Sequence, residues 1–419
     1  MSDLRETART LFSIACKAAD PAQALANALS DAPVPAPDVG GITYLLAIGK
    51  AAIPMAALLL DRLAGRPLRA LVVTNYENAR PLRGAVVLAA GHPVPDENGA
   101  RAALEVEHFL ASTKAEDRVI ALISGGGSAL LPAPVSGLSL QEKANVNKFL
   151  LATGLEITAM NLVRQHLSRL KGGGLLRASA PAPVTAYILS DVIGDDLRVI
   201  ASGPTVAPIG SRNEARQMLQ AKGIWASFPN AAKTILAMPE PAAALLPFAQ
   251  NVLIGSNRKS LNAVVAAFGP NAWVVNDGLT GDVAAAASHI IGAAKEAADQ
   301  RLCLVFGGET TVVLRGNGLG GRNQELALRV ALTMPDLGRD WVFLSGGTDG
   351  RDGPTDAAGG IVDARSTARM RTAGCDPAAL LANNDSNAAL GCAGDLLITG
   401  PTGTNVADVQ LLLLGPRDG

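Results

Sequence analysis

The chain has 419 residues and a mass of 42.8 kDa, room for two or three domains at about 150 residues each and for a core that needs neither a disulfide nor a metal to hold it. Lys and Arg total 36 against 37 Asp and Glu, a net charge of −1, which excludes the basic excess that a nucleic acid or an anionic membrane partner calls for. Hydrophobic residues at 48%, aromatics at only 3% and 44 glycines exclude a disordered or fibrous chain and fit small-residue helices layered on a parallel sheet with many strand-to-helix turns.

The chain opens with Leu4, Ala8, Leu11, Phe12 and Ala15 on one stripe and Asp3, Arg5, Glu6 and Arg9 off it. That spacing predicts an amphipathic helix of the mature protein rather than a signal peptide. No apolar run reaches the roughly 18 residues of a membrane helix, so no membrane partner and a cytoplasmic location are expected. A second helix starts at Asp20-Pro21. Short apolar runs then alternate with helical patterns: strands over Thr43–Ile48, Ala70–Thr74, Ala85–Ala89, Arg118–Ser124 and Val184–Ser190, helices near 50–64, 99–112, 140–151 and 156–170. This is the pattern of a doubly wound, mostly parallel, Rossmann-like sheet. The Pro- and Ala-rich stretch from Met238 to Pro247 reads as a boundary between an N-terminal α/β domain, 1–240, and a smaller C-terminal α/β domain with a mixed sheet, 248–419. Strands of the second series are expected near Asn251–Ile254, Trp273–Asn276, Leu302–Phe306, Thr311–Leu314, Trp341–Ser345, Asp395–Thr399 and Val409–Leu413, with the two domains facing a shared cleft. Cys16, Cys303, Cys375 and Cys392 show no paired spacing and read as small buried hydrophobes.

Ligands of open α/β sheets lie beyond the carboxyl ends of the strands, so the residues that follow each strand carry the functional signal. After Thr43–Ile48 comes Gly49-Lys50, a lysine in a first helical turn, where it opposes the macrodipole unless an anion joins it. After the 118–123 run comes Ser124-Gly125-Gly126-Gly127-Ser128, whose backbone N–H groups can turn inward as an anion cradle; without a Gly-Lys-Ser/Thr ending it is not a Walker loop. Lys171-Gly172-Gly173-Gly174 reads equally well as a helix end. Asp191 falls at a strand's carboxyl end, suited to Mg²⁺ or to a hydroxyl proton, whereas Asp195 or Asp196 suits a cap. Ser256 and Asn257 follow a strand and are candidate nucleotide contacts. Glu309 and Asp349 are strand-end carboxylates and candidate metal ligands.

Gly316, Gly318 and Gly321 satisfy the G-x-G-x-x-G spacing of a dinucleotide site. The acid that should close the next strand about 20 residues on is misplaced: Asp336 and Asp340 precede the strand and Asp349 lies 33 residues past Gly316. A glycine loop with Arg322 aimed at a phosphoryl group fits better, and Asn323 beside it joins the candidate substrate and nucleotide contacts. A calcium loop at 345–356 fails because Arg351 stands at its third position. His92 is placed to line a cleft; His108, His166 and His289 lie in helical patterns. No Ser-His-Asp order, HExxH or Cys/His cluster is visible.

A lysine, an arginine, glycine nests and strand-end carboxylates without a nucleophile are the requirements of phosphoryl transfer, which proceeds by positioning and charge neutralisation. The runs 47–52, Gly91-His92-Pro93-Val94-Pro95-Asp96, 124–131, 190–205, 320–325 and 345–356 resemble, in the right order and over about residues 5–414, the class II glycerate kinases (glycerate 2-kinases) with a MOFRL-type C-terminal region. The resemblance implies transfer of the γ-phosphoryl of ATP to the 2-hydroxyl of D-glycerate, with Mg²⁺, in a cleft between two α/β domains, and it marks Lys50 and Arg322 as catalytic. On physical grounds Lys50 and Arg322 would offset charge on the phosphoryl group and the glycerate carboxylate. Gly125, Gly126, Gly127 and Ser128 would cradle an anion, and Asp191 would orient the hydroxyl or hold Mg²⁺, with Glu309 and Asp349 as weaker ligands. Two rival readings stay open at this level: an NAD(P)-dependent hydroxypyruvate reductase and a non-catalytic sensor of a phosphorylated acid. A homo-oligomer is compatible with the sequence.

Overall fold

In a computed structural model that describes residues 2–240 and 246–416, the alternating apolar runs form two six-stranded sheets. The chain divides into one unit of Ala24–Ser190 and Asp195–Ile254 and another of Met1–Gln23, Asp191–Gly194 and Gly255–Gly419.

The first sheet comprises β1 (Thr43–Ile48), β2 (Leu68–Asn75), β3 (Val86–Ala90), β4 (Arg118–Ile123), β5 (Val184–Leu189) and β6 (Ala249–Gly255), in the order β3-β2-β1-β4-β5-β6. The β1–β2, β1–β4, β2–β3 and β4–β5 pairs are parallel. β1 and β5 are buried along their whole length, which is why these runs read as continuously apolar rather than alternating. The strand order reverses at β1, so the chain leaves β1 and β4 in opposite directions and opens a crevice beyond their carboxyl ends. Four helices, 140–152, 157–166, 212–221 and 230–237, form a separate small core around Val146, Leu150, Val163, Leu219 and Phe228.

The second sheet contains β7 (Ala272–Asp282), β8 (Leu302–Thr311), β9 (Trp341–Gly347), β10 (Gly359–Asp363), β11 (Leu396–Leu397) and β12 (Asp408–Leu414), in the order β11-β10-β9-β12-β8-β7. Only β7–β8 pair in parallel, so the sheet is mixed, as expected. The strand expected at Leu302–Phe306 extends to Thr311, whereas Val312, Val313 and Leu314, expected as part of a further strand, are irregular. β8 runs on through Gly307 and Gly308, which tolerate the register shifts of the neighbouring β7.

Three further expectations change. The strand near Asn251–Ile254 does not begin the second sheet but completes the first as β6. The proline-rich cue marks a connection and carries no information about which sheet edge the next strand will find; residues 241–245 of that stretch lie outside the described residues. The opening helix, Ser2–Ala18, belongs to the C-terminal sheet: Leu4, Ala8, Leu11, Phe12 and Ala15 share a core with Val342, Leu344, Ile361 and Leu411. Charge seats it there, since Arg5 binds Asp363 and Asp395 (2.9 Å), the same two carboxylates that Arg369 binds at 2.9 and 2.7 Å. Burial raises the Asp363 carboxyl, but Arg369, the Arg365 N–H and Arg5 outweigh it and hold the group below the usual carboxylate range. Lastly, Cys375 and Cys392, expected to be unpaired, are joined by a disulfide across Cα atoms 6.6 Å apart. Their separation of 17 residues carries no pairing signal; the packing of helices 366–372 and 386–393 brings them together. Burial pushes the thiols of Cys16 and Cys303 up to about 12, in line with the hydrophobic reading of these two. Among the described residues no helix is long and apolar enough to cross a membrane.

Candidate functional site

At the switch point of the first sheet, the turns after β1 and β4 are stitched together. The chain leaves β1 through Gly49 at φ +120°, where a Cβ would overlap the Ser124 hydroxyl and carbonyl, so no other residue fits. The Lys50 N–H then donates to the Gly125 carbonyl (2.9 Å), the Ala51 N–H to Ser124 Oγ (3.1 Å), and Asn78 Nδ2 to the Lys50 carbonyl (3.0 Å). Gly126 turns at φ +88°, and a Cβ placed there would lie 3.0 Å from the His92 ring and 3.3 Å from Lys50 Cγ. The lysine stem and the imidazole therefore lie against the glycine turn. Sequence spacing singles out Lys50, His92, Gly125, Gly126, Gly127 and Ser128 separately; the fold gathers them. The His92 ring is held below its ordinary pKa by burial and by Lys50, with Glu77 opposing, which keeps it neutral at pH 7. Lys50 is half-buried and, among the described residues, in no ion pair, so its charge is available to a ligand.

Ser128 is held from behind by a residue whose role the sequence leaves open. The Lys171 ammonium, buried, donates to the Ser128 carbonyl (2.8 Å) and Oγ (2.7 Å). The three glycines after it start the helix Gly174–Ser179 rather than end the preceding one. The only available signal is a lysine beside glycines, which cannot report that it points inward. Burial, then Arg164, pushes the Lys171 amine from 10.5 down to about 7. An amine depressed in this way costs the fold stability as pH falls from 10.5 to about 7, and costs no more below that. Wild-type protein is therefore expected to lose stability relative to Lys171→Met across that window. Urea midpoints at pH 7 and pH 10 that differ by the same amount between the two proteins would refute it.

Asp191 is half-buried, two residues past the end of β5. Asp196, expected as a helix cap, instead accepts the Arg198 N–H (2.9 Å) and pairs with that side chain (2.7 Å), a local turn contact, and the short helix Ile200–Ser202 starts after Val199.

In the second unit Arg322 opens the helix Arg322–Thr333, as expected, but the anion its position asks for is supplied by the protein. Nε and Nη2 bind the two oxygens of Asp408 (2.7 and 3.0 Å), and Nη1 binds Glu309 (3.0 Å). The helix N-terminus itself is capped by Asp352, which accepts the N–H groups of Asn323 (3.0 Å) and Gln324 (2.8 Å). Asp408 is fully buried; burial pushes its carboxyl up to about 6 against the pull of Arg322 and Asn323, while the guanidinium stays charged. A lone aspartate at the start of a leucine strand gives no hint of this role.

Several expected contacts are committed to structure. Ser256 caps the helix Asn257–Phe268. Asn257, buried, donates to the carbonyls of Val406 (2.9 Å) and Asp408 (2.8 Å). Asn323 accepts from Ser345 Oγ (2.6 Å). These side chains are enclosed and bond to neighbours within the unit, which argues against direct nucleotide contact. Glu309 is half-exposed beside Arg322, and Asp349 accepts the Arg351 N–H (3.0 Å) in an exposed turn. Among the described residues no group of three or more His, Cys, Asp or Glu could hold a metal ion, so Asp191, Glu309 and Asp349 form no ready-made cage.

The G-x-G-x-x-G stretch is not a dinucleotide loop. Residues 312–321 form an irregular connection in which the N–H groups of Arg315 and Gly316 bind Asn384 Oδ1 (2.7 and 3.0 Å), that of Gly318 the Asn383 carbonyl (3.0 Å) and that of Leu319 the Asp385 carboxylate (3.2 Å). β12 also lies between β8 and β9, where a dinucleotide fold would pair the two directly.

Comparison with known proteins points to one family. Residues 7–237 match the family described as a domain of unknown function, DUF4147, and residues 302–408 match the MOFRL family. The D-glycerate 2-kinase of Thermotoga maritima is 40% identical over 380 residues, 88% of this chain and 90% of that one. The glycerate 2-kinase of Pyrococcus horikoshii is 36% identical over 100% of this chain and 99% of its own length. A protein of Agrobacterium vitis named a putative hydroxypyruvate reductase is 38% identical over 98% of this chain and 94% of that one. The crystal structure of the Thermotoga maritima glycerate kinase superposes with a TM-score of 0.89 at 36% identity, covering 99% of this chain and 100% of that one.

Proposed function

This chain belongs to the glycerate 2-kinase family with a C-terminal MOFRL region, and from that premise we propose that it transfers the γ-phosphoryl of ATP to the 2-hydroxyl of D-glycerate, giving 2-phosphoglycerate and ADP. The observation that carries the reading is near-full-length similarity to a D-glycerate 2-kinase together with a lysine, free of internal counter-charge, laid against a glycine turn at a sheet's switch point. Lys50 and Arg322 are assigned the neutralisation of charge on the transferring group, and the backbone N–H groups of the turn Gly125–Ser128 the cradling of an anion; one such donor is worth about 10²–10³ in rate. Asp191 is assigned to the acceptor hydroxyl or to Mg²⁺. Magnesium would enter on the nucleotide, which needs only one or two protein carboxylates beside phosphate oxygens and water. Its chemistry would be to offset charge on the phosphates.

Phosphorus NMR of the products formed from D-glycerate, ATP and Mg²⁺ tests reaction class and regiochemistry together. A 2-phosphate resonance with ADP is expected. Reduction of NAD(P)⁺ by D-glycerate without ADP formation would establish instead the reductase reading that the name of the Agrobacterium relative suggests.

A further inference from the structure

Next to the glycine turn of the first unit lies a cavity of about 600 Å³ whose lining includes the polar His92, Ser128, Lys148 and Arg164 and the apolar Val94 and Leu151. None of the assignments above uses Lys148 or Arg164.

Among the described residues that line the cavity there are two cationic side chains, Lys148 and Arg164, and no carboxylate; Glu77 acts on it only through His92. Arg164 is half-buried, and its Nε donates to the neutral Asn147 Oδ1 (3.0 Å); among the described residues it meets no carboxylate. Behind the wall lie two further lysines whose amines burial depresses below their ordinary value. Lys143 donates to the carbonyls of Leu167 (2.7 Å) and Pro132, and Lys171 to Ser128. Lys171, Arg169 and Arg164 all act on Lys143 as like charges. The nearby acid, Glu107, is taken up by a bidentate pair with Arg169 (2.7 and 2.8 Å). The Arg164 guanidinium, which keeps its charge and faces an amide rather than a carboxylate, is costly to bury until a counter-charge arrives.

The hydroxyl chain has a direction. Ser202 Oγ donates to Asn161 Oδ1 (3.0 Å), so in the 2.9 Å pair between Ser128 and Ser202 the proton belongs to Ser128. Lys171 fills one lone pair of Ser128 Oγ at 2.7 Å. What Ser128 retains is a second lone pair, an acceptor and not a donor. The cavity therefore offers a guanidinium for a carboxylate and an oxygen acceptor for a hydroxyl, which are the two groups of a small hydroxy acid.

We propose that this cavity is the acceptor-acid site: the Arg164 guanidinium, with Lys148 at the rim, binds the carboxylate, and Ser128 Oγ accepts a hydrogen bond from a hydroxyl of the same molecule. Lys171 is the positioning residue that sets the acceptor role of Ser128. The proposal rests on the glycerate kinase reading for the identity of the acid.

The test uses the full-length protein with Arg164→Gln, which keeps a donor toward Asn147, and Lys148→Gln, on the exposed rim. Arg164→Gln is expected to raise KM for D-glycerate by about tenfold or more, the loss of one charge-assisted pair, with KM for ATP and the melting temperature unchanged. Lys148→Gln should raise KM for D-glycerate about threefold. Calorimetric binding of D-glycerate to the nucleotide-free wild type should be lost in Arg164→Gln. A rise in KM for ATP alone would give the cavity to the nucleotide, and no change in either KM would leave it without a substrate; both overturn the proposal. Should Arg164→Gln prove unstable, Lys148→Gln decides: an unchanged KM for D-glycerate overturns it. If the wild type binds D-glycerate through Arg164 yet forms no phosphate ester, the site stands and the kinase reading falls.

Discussion

Arg322→Ala is expected to lower kcat about 10²–10⁴-fold and, unlike a loss confined to catalysis, to destabilise the second unit as well. Removing the guanidinium leaves Asp408, fully buried, without its bidentate partner. Breaking a buried pair costs about 3–5 kcal/mol, and because the Arg322 side chain is 34% exposed a loss of about 2–3 kcal/mol is expected here. The double variant Arg322→Ala/Asp408→Asn removes the stranded charge and should recover most of the stability but none of the activity. Steady-state kinetics and urea unfolding on the three proteins check it; recovery of activity in the double variant would make Arg322 a structural residue only. A pH arm follows from the same pair. Because the Asp408 carboxyl is raised from 3.8 to about 6, its contribution to stability is fully present below 3.8 and is lost as pH rises through 6. Activity should run the other way, falling below pH 6 as protonation of Asp408 loosens the grip on Arg322, and this acid limb should be missing in Asp408→Asn.

Lys50→Ala is expected to reduce kcat by a similar factor, about 10²–10⁴, and to leave unfolding unchanged. The contrast with Arg322 has a geometric cause. What Lys50 contributes to the fold is its backbone, the N–H bound to Gly125 and the carbonyl bound to Asn78, and alanine keeps both. Its ammonium takes part in no ion pair among the described residues, so truncation strands no buried charge. Lys50→Arg should restore only part of the rate, since the wider, planar guanidinium must fit where Lys50 Cγ already lies within 3.3 Å of a Cβ position at Gly126. A fall in melting temperature that tracks the loss of activity in Lys50→Ala would contradict the assignment.

Strand periodicity alone places β1, β4 and β5 to within a residue or two, and with them the points where chemistry could occur: Lys50 just past β1, Ser124–Ser128 just past β4, Asp191 just past β5. These signals are local, because a doubly covered parallel strand must be apolar throughout and the residue that follows it must turn. The resemblance carried by the longer motifs adds the reaction. Features that need a partner distant in sequence are not legible. The opening helix joins a sheet whose strands begin about 250 residues later, through Arg5 and two aspartates near the C-terminus. The sequence presents Arg322 as awaiting an anion, when Asp408, 86 residues on, already supplies one. Ser256, Asn257 and Asn323 look free to bind a nucleotide because hydrogen bonds to Lys259, Val406 and Ser345 cannot be seen in a string of residues.

Composition and spacing, then, determined the fold class and the addresses of the candidate catalytic cations, since each depends on burial patterns within ten or so consecutive residues. Tertiary structure alone decided which polar groups have their bonds satisfied internally and which, like Lys50 and Arg164, still face outward with a charge to offer. The reason is that an electrostatic partner is set by distance in space, and the chain brings together residues that sequence order keeps far apart.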